Sequence, residues 1–251
     1  MHYIAAASAS EYINTDFFQK HPSVTPAHTG FLVKSDGHLY SESGNSSISG
    51  GMMLISFECQ PRVRSCDRLL SETVFVFRKK GFSGIIVDGP DGIDISQYLV
   101  RMFKGLTRNL IVSSGIPSPS GCVKAVSSAV SGGTLRQMLL DSIRAYGLKN
   151  VCIAAELIRA DFSLPAMDGK CSYMTLDETM SLIKRYKTPS FYSHDLETNY
   201  FSYKRDGKAH MVLYDNSESM IRKITLASSL GITKCLISYS DTKHIIGNII
   251  R

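Results

Sequence analysis

Three acidic residues stand in or at the ends of short apolar segments of this sequence. Asp88 and Glu58 each follow such a segment directly, and Glu156 lies within a third. If the segments are strands of one sheet, side chains two positions apart point to the same side, so acids at strand ends can gather at one edge. Carboxylates gathered in this way bind polar ligands or exchange protons with them.

Each of these acids also has a structural explanation. Asp88 fits a ligand-contacting acid or a cap for backbone N–H groups beyond its strand. Glu58 fits a residue of the same site or a solvated loop acid. A charge inside a strand needs a partner, so Glu156 fits a substrate contact or an ion pair with Arg159 or with a cation on a neighbouring strand. The sequence leaves these alternatives open.

Metal and cofactor sites are not indicated. The six cysteines form no CxxC pair, and the seven histidines are scattered without a spacing that matches a metal site. Residues 132–134 (GGT) fit a phosphate cradle at a helix start, but helix capping by Thr134 explains them more simply. The aromatic residues between 192 and 203 fit either sugar stacking or the packed face of a hairpin.

The composition is that of an ordinary globular protein. The chain has 251 residues, 43% of them hydrophobic, and a net charge of +6 that is spread along the sequence. No basic stripe interleaved with aromatics is present, so a nucleic-acid partner is not expected. We also expect no membrane span, because no run of eighteen apolar residues occurs. No secretory leader precedes the first strand, which favours a cytoplasmic location.

Short apolar segments alternate with amphipathic stretches along the whole chain, and this pattern predicts a parallel sheet covered by helices on both faces. Eight such units favour a single (β/α)8 TIM barrel over residues 1–251. The strands are predicted at residues 3–7, 29–33, 52–57, 84–88, 110–114, 122–130, 151–155 and 235–238. Residues 163–214 are too long and too rich in strands for one connection. They are predicted to form a small α+β insertion after strand seven, beside the mouth of the barrel.

Several segments, in the right order, resemble the family 18 glycoside hydrolases, chitinase-like enzymes, and especially their bacterial branch linked to spore-cortex and cell-wall sugars. Residues 31–39 (FLVKSDGHL) resemble the second strand of that branch, and residues 80–90 (KGFSGIIVDGP) its fourth. Residues 151–162 (VCIAAELIRADF) resemble the seventh strand, and 200–215 (YFSYKRDGKAHMVLYD) is the strongest match. The resemblance implies a spore-associated location as an alternative to the cytoplasmic one. It also implies cleft-lining roles for Asp161, Tyr214 and Asp215.

The resemblance implies a substrate-assisted cleavage beside N-acetylglucosamine. In this family a glutamic acid at the end of strand four protonates the leaving oxygen, and nearby aspartates support the reaction. This chain keeps one of these acids as Asp88, but Ser83, Ile86 and Pro90 stand at the other positions, Pro90 in place of the glutamic acid. Proline cannot donate a proton, so the catalytic motif is degenerate.

Two further departures concern the rest of the sugar site. The Tyr-Asp pair of strand six is not visible within residues 125–133, and Ser238 stands where the family has a tryptophan; the chain has no Trp. The sequence therefore favours a catalytically inactive barrel that binds an N-acetylglucosamine-containing polysaccharide or peptidoglycan, or serves as a scaffold. The alternative is an active glycosidase that uses a relocated acid, Glu58, Asp88 or Glu156.

Overall fold

The computed structural model describes residues 1–59, 66–89, 97–117, 121–166 and 169–250. The strands are β1 (His2–Ala7), β2 (Thr25–Val33), β3 (Leu39–Ser41), β4 (Met52–Phe57), β5 (Gly84–Asp88), β6 (Leu110–Val112), β7 (Val123–Ser127), β8 (Val151–Ala155), β9 (Arg159–Ser163), β10 (Ser172–Tyr173), β11 (Phe191–Ser193), β12 (Thr198–Arg205), β13 (Lys208–Tyr214) and β14 (Lys234–Ser238). The helices are α1 (Ala9–Asn14), α2 (Phe17–Lys20), α3 (Cys66–Lys80), α4 (Gln97–Leu106), α5 (Leu135–Tyr146), α6 (Leu176–Tyr186), α7 (Ser217–Ser229), α8 (Tyr239–Thr242) and α9 (Ile246–Ile249).

Eight parallel strands close into a barrel, which confirms the predicted (β/α)8 fold. They follow each other in the order β1, β14, β8, β7, β6, β5, β4 and β2, and β2 pairs with β1 to complete the circle. Ile4 shows the closure, because it lies opposite Leu236 on one side and Thr25 on the other. The short strand β3 adds an antiparallel pairing to the outer part of β2.

The barrel strands are apolar on both faces because each face is buried against a different part of the core. One side of the strands fills the barrel with side chains such as Ile4, Leu54 and Ile86. The other side packs under the helices in two larger clusters. Side chains alternate between the two faces of a strand. A residue two positions after an interior residue therefore faces the same side and lies nearer the carboxyl end of the barrel.

Two short helices, α1 and α2, connect β1 to β2. Ser8 caps α1 in a reciprocal box with Glu11, and the chain leaves the helical conformation at Thr15. The Thr15 hydroxyl bonds the Tyr239 hydroxyl at 2.7 Å and accepts from the Phe17 backbone N–H at 3.2 Å. A residue between the two helices is thus bonded to a residue 224 positions away in the sequence.

Thr134 begins α5, and its hydroxyl accepts a hydrogen bond from the Gln137 backbone N–H. This is the capping role that the sequence favoured for the segment at 132–134. Among the helices of the described residues, none combines the length and the apolar content needed to cross a membrane.

A second sheet of five antiparallel strands follows β8, in the order β10, β9, β13, β12 and β11, with α6 packed on one face. It begins at Arg159 rather than at the predicted residue 163, because β9 pairs with β13 along its whole length. Its central hairpin joins β12 to β13 through Asp206 and Gly207. Both residues have positive φ, at 52° and 75°, as the type I′ turn of a two-residue hairpin requires.

The two ends of this insertion are bonded to each other. The Asp215 backbone N–H donates to the Ile158 carbonyl oxygen at 2.9 Å. In return, the Ile158 backbone N–H donates to the Asp215 carboxylate at 2.9 Å. We call these two residues the neck of the insertion, since the chain leaves and re-enters the barrel between them.

A buried histidine lies on the outer side of the barrel. His28 of β2 is fully buried between the rings of Tyr12 and Phe82, and neither ring nitrogen has a well-formed hydrogen bond. Burial lowers the pKa of His28 from 6.5 to about 4, and the Gly50 backbone opposes part of that change. His28 is therefore neutral in the folded protein near pH 7.

Candidate functional site at the barrel mouth

Small polar side chains and an acid collect at the carboxyl end of the barrel strands. Ser56 and Asp88 lie opposite each other on β4 and β5, two positions beyond the interior residues Leu54 and Ile86. Ser127 of β7 and Ser238 of β14 hold the corresponding positions across the barrel. In barrels of this type this end carries the functional site, and here it presents hydroxyl and carboxylate groups.

Asp88 lies where the sequence predicted it, at the last position of β5, and is partly exposed. Two other positions of the degenerate motif, Ser83 and Ile86, have contacts that serve the fold. The Ser83 hydroxyl donates to the Gly51 carbonyl oxygen at 2.9 Å, and Ile86 is buried in the barrel interior. Pro90 lies outside the described residues, so its position at the mouth stays a prediction.

Glu156 follows β8 directly instead of lying inside the strand, and its side chain is exposed. Its carboxylate accepts a hydrogen bond from the Ser127 hydroxyl at 2.5 Å. The Ser128 hydroxyl bonds its backbone, with the Glu156 N–H donating at 3.0 Å. Nε and Nη2 of Arg159 have no hydrogen-bond partner among the described residues, so neither of these atoms bonds the Glu156 carboxylate.

A cavity of about 300 Å³ opens between the ends of β8 and β14 and the insertion. It is lined by Ala155, Glu156, Leu157, Arg159, Tyr173, Met174, Ser238 and Asp241. We call it the mouth pocket. Tyr173 at its rim is 85% exposed, and an exposed aromatic ring beside carboxylate, guanidinium and hydroxyl groups suits a sugar, which has both C–H faces and hydroxyls. The volume is at the lower end for a small-molecule site.

A larger hollow of about 700 Å³ lies elsewhere, on the outer face of α3. It is lined by apolar and basic side chains of that helix, including Phe75, Arg78 and Lys79. We assign the site to the smaller mouth pocket, because it adjoins the carboxyl ends of β8 and β14 and contains carboxylates, whereas the hollow on α3 has no carboxylate in its lining.

Glu58 follows β4 at the same end of the barrel as Asp88. Its side chain is exposed, and its backbone N–H donates to the Val33 carbonyl oxygen at 3.1 Å. The structure thus brings Glu58, Asp88 and Glu156 to one end of the barrel, on three different strands. Asp88 and Glu156 are separated by β6 and β7.

Asp161 belongs to the insertion sheet rather than to a barrel strand. It is buried, and its carboxylate accepts hydrogen bonds from the Tyr203 hydroxyl at 2.5 Å and from His210 Nδ1 at 3.0 Å. Arg205 Nη2 lies 3.9 Å away. Burial and the bond to Asp161 raise the pKa of Tyr203 well above its usual value. Both carboxylate oxygens of Asp161 are therefore bonded to side chains of the insertion.

Asp215 forms a fully buried ion pair with Lys223, whose Nζ lies 2.6 Å from its carboxylate. The hydroxyls of Thr198 and Ser219 also donate to it, each at 2.8 Å. Burial lowers the pKa of Lys223, although Asp215 opposes that effect. With the bond from Ile158 at the neck, both oxygens of Asp215 are engaged, so a structural role accounts for this acid.

Tyr214 precedes Asp215 at the end of β13 and is partly buried. Its hydroxyl bonds the Ser190 hydroxyl at 2.5 Å, and its ring lies 6.0 Å from that of Phe201. It lies opposite Arg159 in the sheet, so both side chains occupy the same sheet face. The cleft-lining role implied for it stays a prediction.

Sequence reasoning did not select Tyr173 or Asp241 and considered Arg159 only as a partner of Glu156. No local pattern marks Tyr173, which reaches the pocket through the pairing of the two-residue strand β10 with β9. Within the described part of the chain, no group of three His, Cys, Asp or Glu side chains could hold a metal ion.

The fold is similar to that of solved chitinases and a spore enzyme. A GH18 chitinase from Cycas revoluta, solved in complex with (GlcNAc)3, has a TM-score of 0.67 and 12% identity, covering 100% of this chain and 98% of that chain. A chitinase from Chromobacterium violaceum has a TM-score of 0.63 and 15% identity, covering 94% and 93%. The spore cortex-lytic enzyme SleL of Bacillus megaterium has a TM-score of 0.63 and 14% identity, covering 95% of this chain and 70% of that chain.

No protein-family model and no curated protein matches the sequence. At these identities the structural likeness shows a chitinase-like (β/α)8 fold.

Proposed function

We propose that this protein binds an oligosaccharide containing N-acetylglucosamine at the barrel mouth and does not hydrolyse it at the rate of an active family 18 enzyme. The observation that carries the binding half is the mouth pocket, where Tyr173 stands exposed beside Glu156 and Arg159. The complex of a similar barrel with (GlcNAc)3 supports this ligand class.

The second half of the proposal rests on the missing general acid. Proton donation by a positioned side chain contributes roughly 10²–10⁴-fold to such a reaction, and the resemblance puts Pro90 at that position. Ser238 in place of a tryptophan removes the aromatic floor of the family's sugar site. Of the acids that the mechanism requires on strand four, the chain keeps one, Asp88.

The second candidate is an enzyme with a relocated acid, and the position of Glu156 favours it. Glu156 is exposed at the mouth and bonds Ser127. However, the resemblance implies the loss of the glutamic acid, of the strand-six pair and of the tryptophan together. For this reason we place the relocated-acid enzyme, with Glu156, Asp88 or Glu58 as donor, second.

Binding is tested by calorimetry with (GlcNAc)3 and two aromatic variants. Tyr173→Ala is expected to weaken binding about tenfold, which corresponds to a stacking contribution of about 1.4 kcal/mol. Phe75→Ala is the matched control, because Phe75 is also an exposed ring, at 64%, but lies on α3. Absence of binding by the wild type, or equal loss in both variants, would contradict the proposed site.

Hydrolysis is tested with fluorogenic N-acetylglucosamine oligomers beside an active family 18 chitinase. The wild type is expected to release fluorophore at least a hundredfold more slowly. Turnover within tenfold of the chitinase that is abolished by Glu156→Gln or Asp88→Asn would establish the relocated-acid enzyme instead.

A further inference from the structure

One edge of the Arg159 guanidinium has no partner in the described structure. Arg159 is the first residue of β9 and lines the mouth pocket. Its Nε and Nη2 atoms are buried, and no acceptor among the described residues bonds either of them. Two buried donors on one charged group without acceptors are costly, so this edge is prepared for an acceptor that the protein itself does not supply.

We infer that the mouth pocket recognises a saccharide that carries a carboxylate, and that the Nε–Nη2 edge of Arg159 binds that carboxylate. The inference rests on the proposed function, since it takes the mouth pocket as the sugar site. Nε–H and Nη2–H are parallel donors in a rigid plane, and their spacing matches the two oxygens of a carboxylate. Neighbouring sugar hydroxyls or an acetamido carbonyl can also accept from both donors, but they lack the negative charge that strengthens a hydrogen bond to a guanidinium.

A ligand reaches the Nε–Nη2 edge of Arg159 only when part of the pocket lining moves. Both donor atoms are shielded from solvent, so the ligand must displace part of the lining to reach them. Tyr173 and Met174 belong to that lining, and Tyr173 is exposed on a strand of two residues. An exposed side chain such as that of Tyr173 changes rotamer within nanoseconds.

The other charged groups of the pocket make the inference selective. Glu156 and Asp241 line the same cavity as Arg159. They can accept hydrogen bonds from sugar hydroxyls, but they repel a ligand carboxylate. An acidic sugar therefore binds well only through Arg159, and removal of that one cation reverses the preference of the pocket from acidic to neutral ligands.

The test compares ligands that differ at one group. The acidic ligand is the disaccharide of N-acetylglucosamine and N-acetylmuramic acid, its methyl ester removes the charge, and N,N′-diacetylchitobiose lacks the lactyl group altogether. Calorimetry on the wild type is expected to show at least tenfold tighter binding of the acid than of its ester. Arg159→Gln is expected to bind the ester at least as tightly as the acid, and Arg159→Lys to show an intermediate preference, because a lysine keeps the charge without the planar fork.

Arg144→Gln is the matched control, since Arg144 is an exposed arginine on α5 that pairs with Asp141. It should leave the preference unchanged. Equal binding of acid and ester by the wild type would overturn the inference while chitobiose binding still supports the proposed function. If none of the three ligands binds, both fail. The wild-type comparison needs no substitution, so it decides the question even if an Arg159 variant does not fold.

Discussion

The acids of the barrel mouth and the acids of the insertion differ in how their oxygens are satisfied. Asp161 and Asp215 are buried and accept hydrogen bonds from hydroxyl, imidazole, backbone and ammonium groups. Asp88 and Glu156 lie on exposed or partly exposed positions at the end of parallel strands. Residue type and position in a family-like motif do not distinguish the buried pair from the exposed pair. The surroundings of each side chain do, and they indicate which acids stabilise the fold and which are accessible to a ligand.

The largest expected effect comes from breaking the buried ion pair of the insertion. Lys223→Ala leaves the Asp215 carboxylate buried and without its cation, which costs about 3–5 kcal/mol of unfolding free energy. Denaturation in urea measures this loss. The control is Arg222→Ala on the same helix, because Arg222 pairs with Glu218 on the surface and such pairs contribute at most about 1 kcal/mol. Equal effects of the two substitutions would remove the distinction between buried and exposed charges on α7.

His28 provides a second test of a buried titratable group that supports the fold. Its folded pKa of about 4 lies below the unfolded value of 6.5, so the unfolded state binds the proton first as the pH falls. The stability associated with neutral His28 is therefore fully present above pH 6.5 and is lost between about pH 6.5 and 4.

His28→Leu should remove this pH dependence. Between pH 7 and 4.5 the wild type is expected to lose about 2–3 kcal/mol more unfolding free energy than the variant, measured in urea at each pH. His194→Leu, at an exposed position, should keep the wild-type slope. Parallel curves for wild type and His28→Leu would show that His28 does not titrate in this window.

The smallest effects on stability are expected for Asp161→Ala and Asp88→Ala. This pair of substitutions tests the difference between the acids of the insertion and those of the mouth most directly. Asp161→Ala leaves the Tyr203 hydroxyl and His210 without their acceptor, which costs about 1–3 kcal/mol. Asp88→Ala is expected to change stability by less than about 0.5 kcal/mol and to weaken (GlcNAc)3 binding. Thermal melts and calorimetry on both variants decide this. A stable Asp161→Ala with impaired binding would exchange the roles of the two regions.

Local sequence determined most of the barrel. The bounds of β8 follow from a five-residue apolar segment, those of β5 from an apolar segment that ends at Asp88, and the start of α6 agrees with a Thr175–Glu178 capping box. The site followed only in part. Asp88, Glu58 and Glu156 were predicted because strand ends mark them. Arg159 and Tyr173 reach the pocket through strand pairings inside the insertion, and such long-range pairings leave no periodic trace in the sequence.

The neck formed by Ile158 and Asp215 has a consequence for how such a barrel can diversify. Because the two residues bond each other, the ends of the insertion are held together at the point where it joins the barrel. The entropy of closing a loop rises only slowly with its length, so the intervening segment can be shortened, lengthened or exchanged while the strand register of the barrel is preserved. The pocket wall that the insertion contributes can therefore vary while the barrel stays the same, and new ligand preferences can arise there without changes in the barrel core.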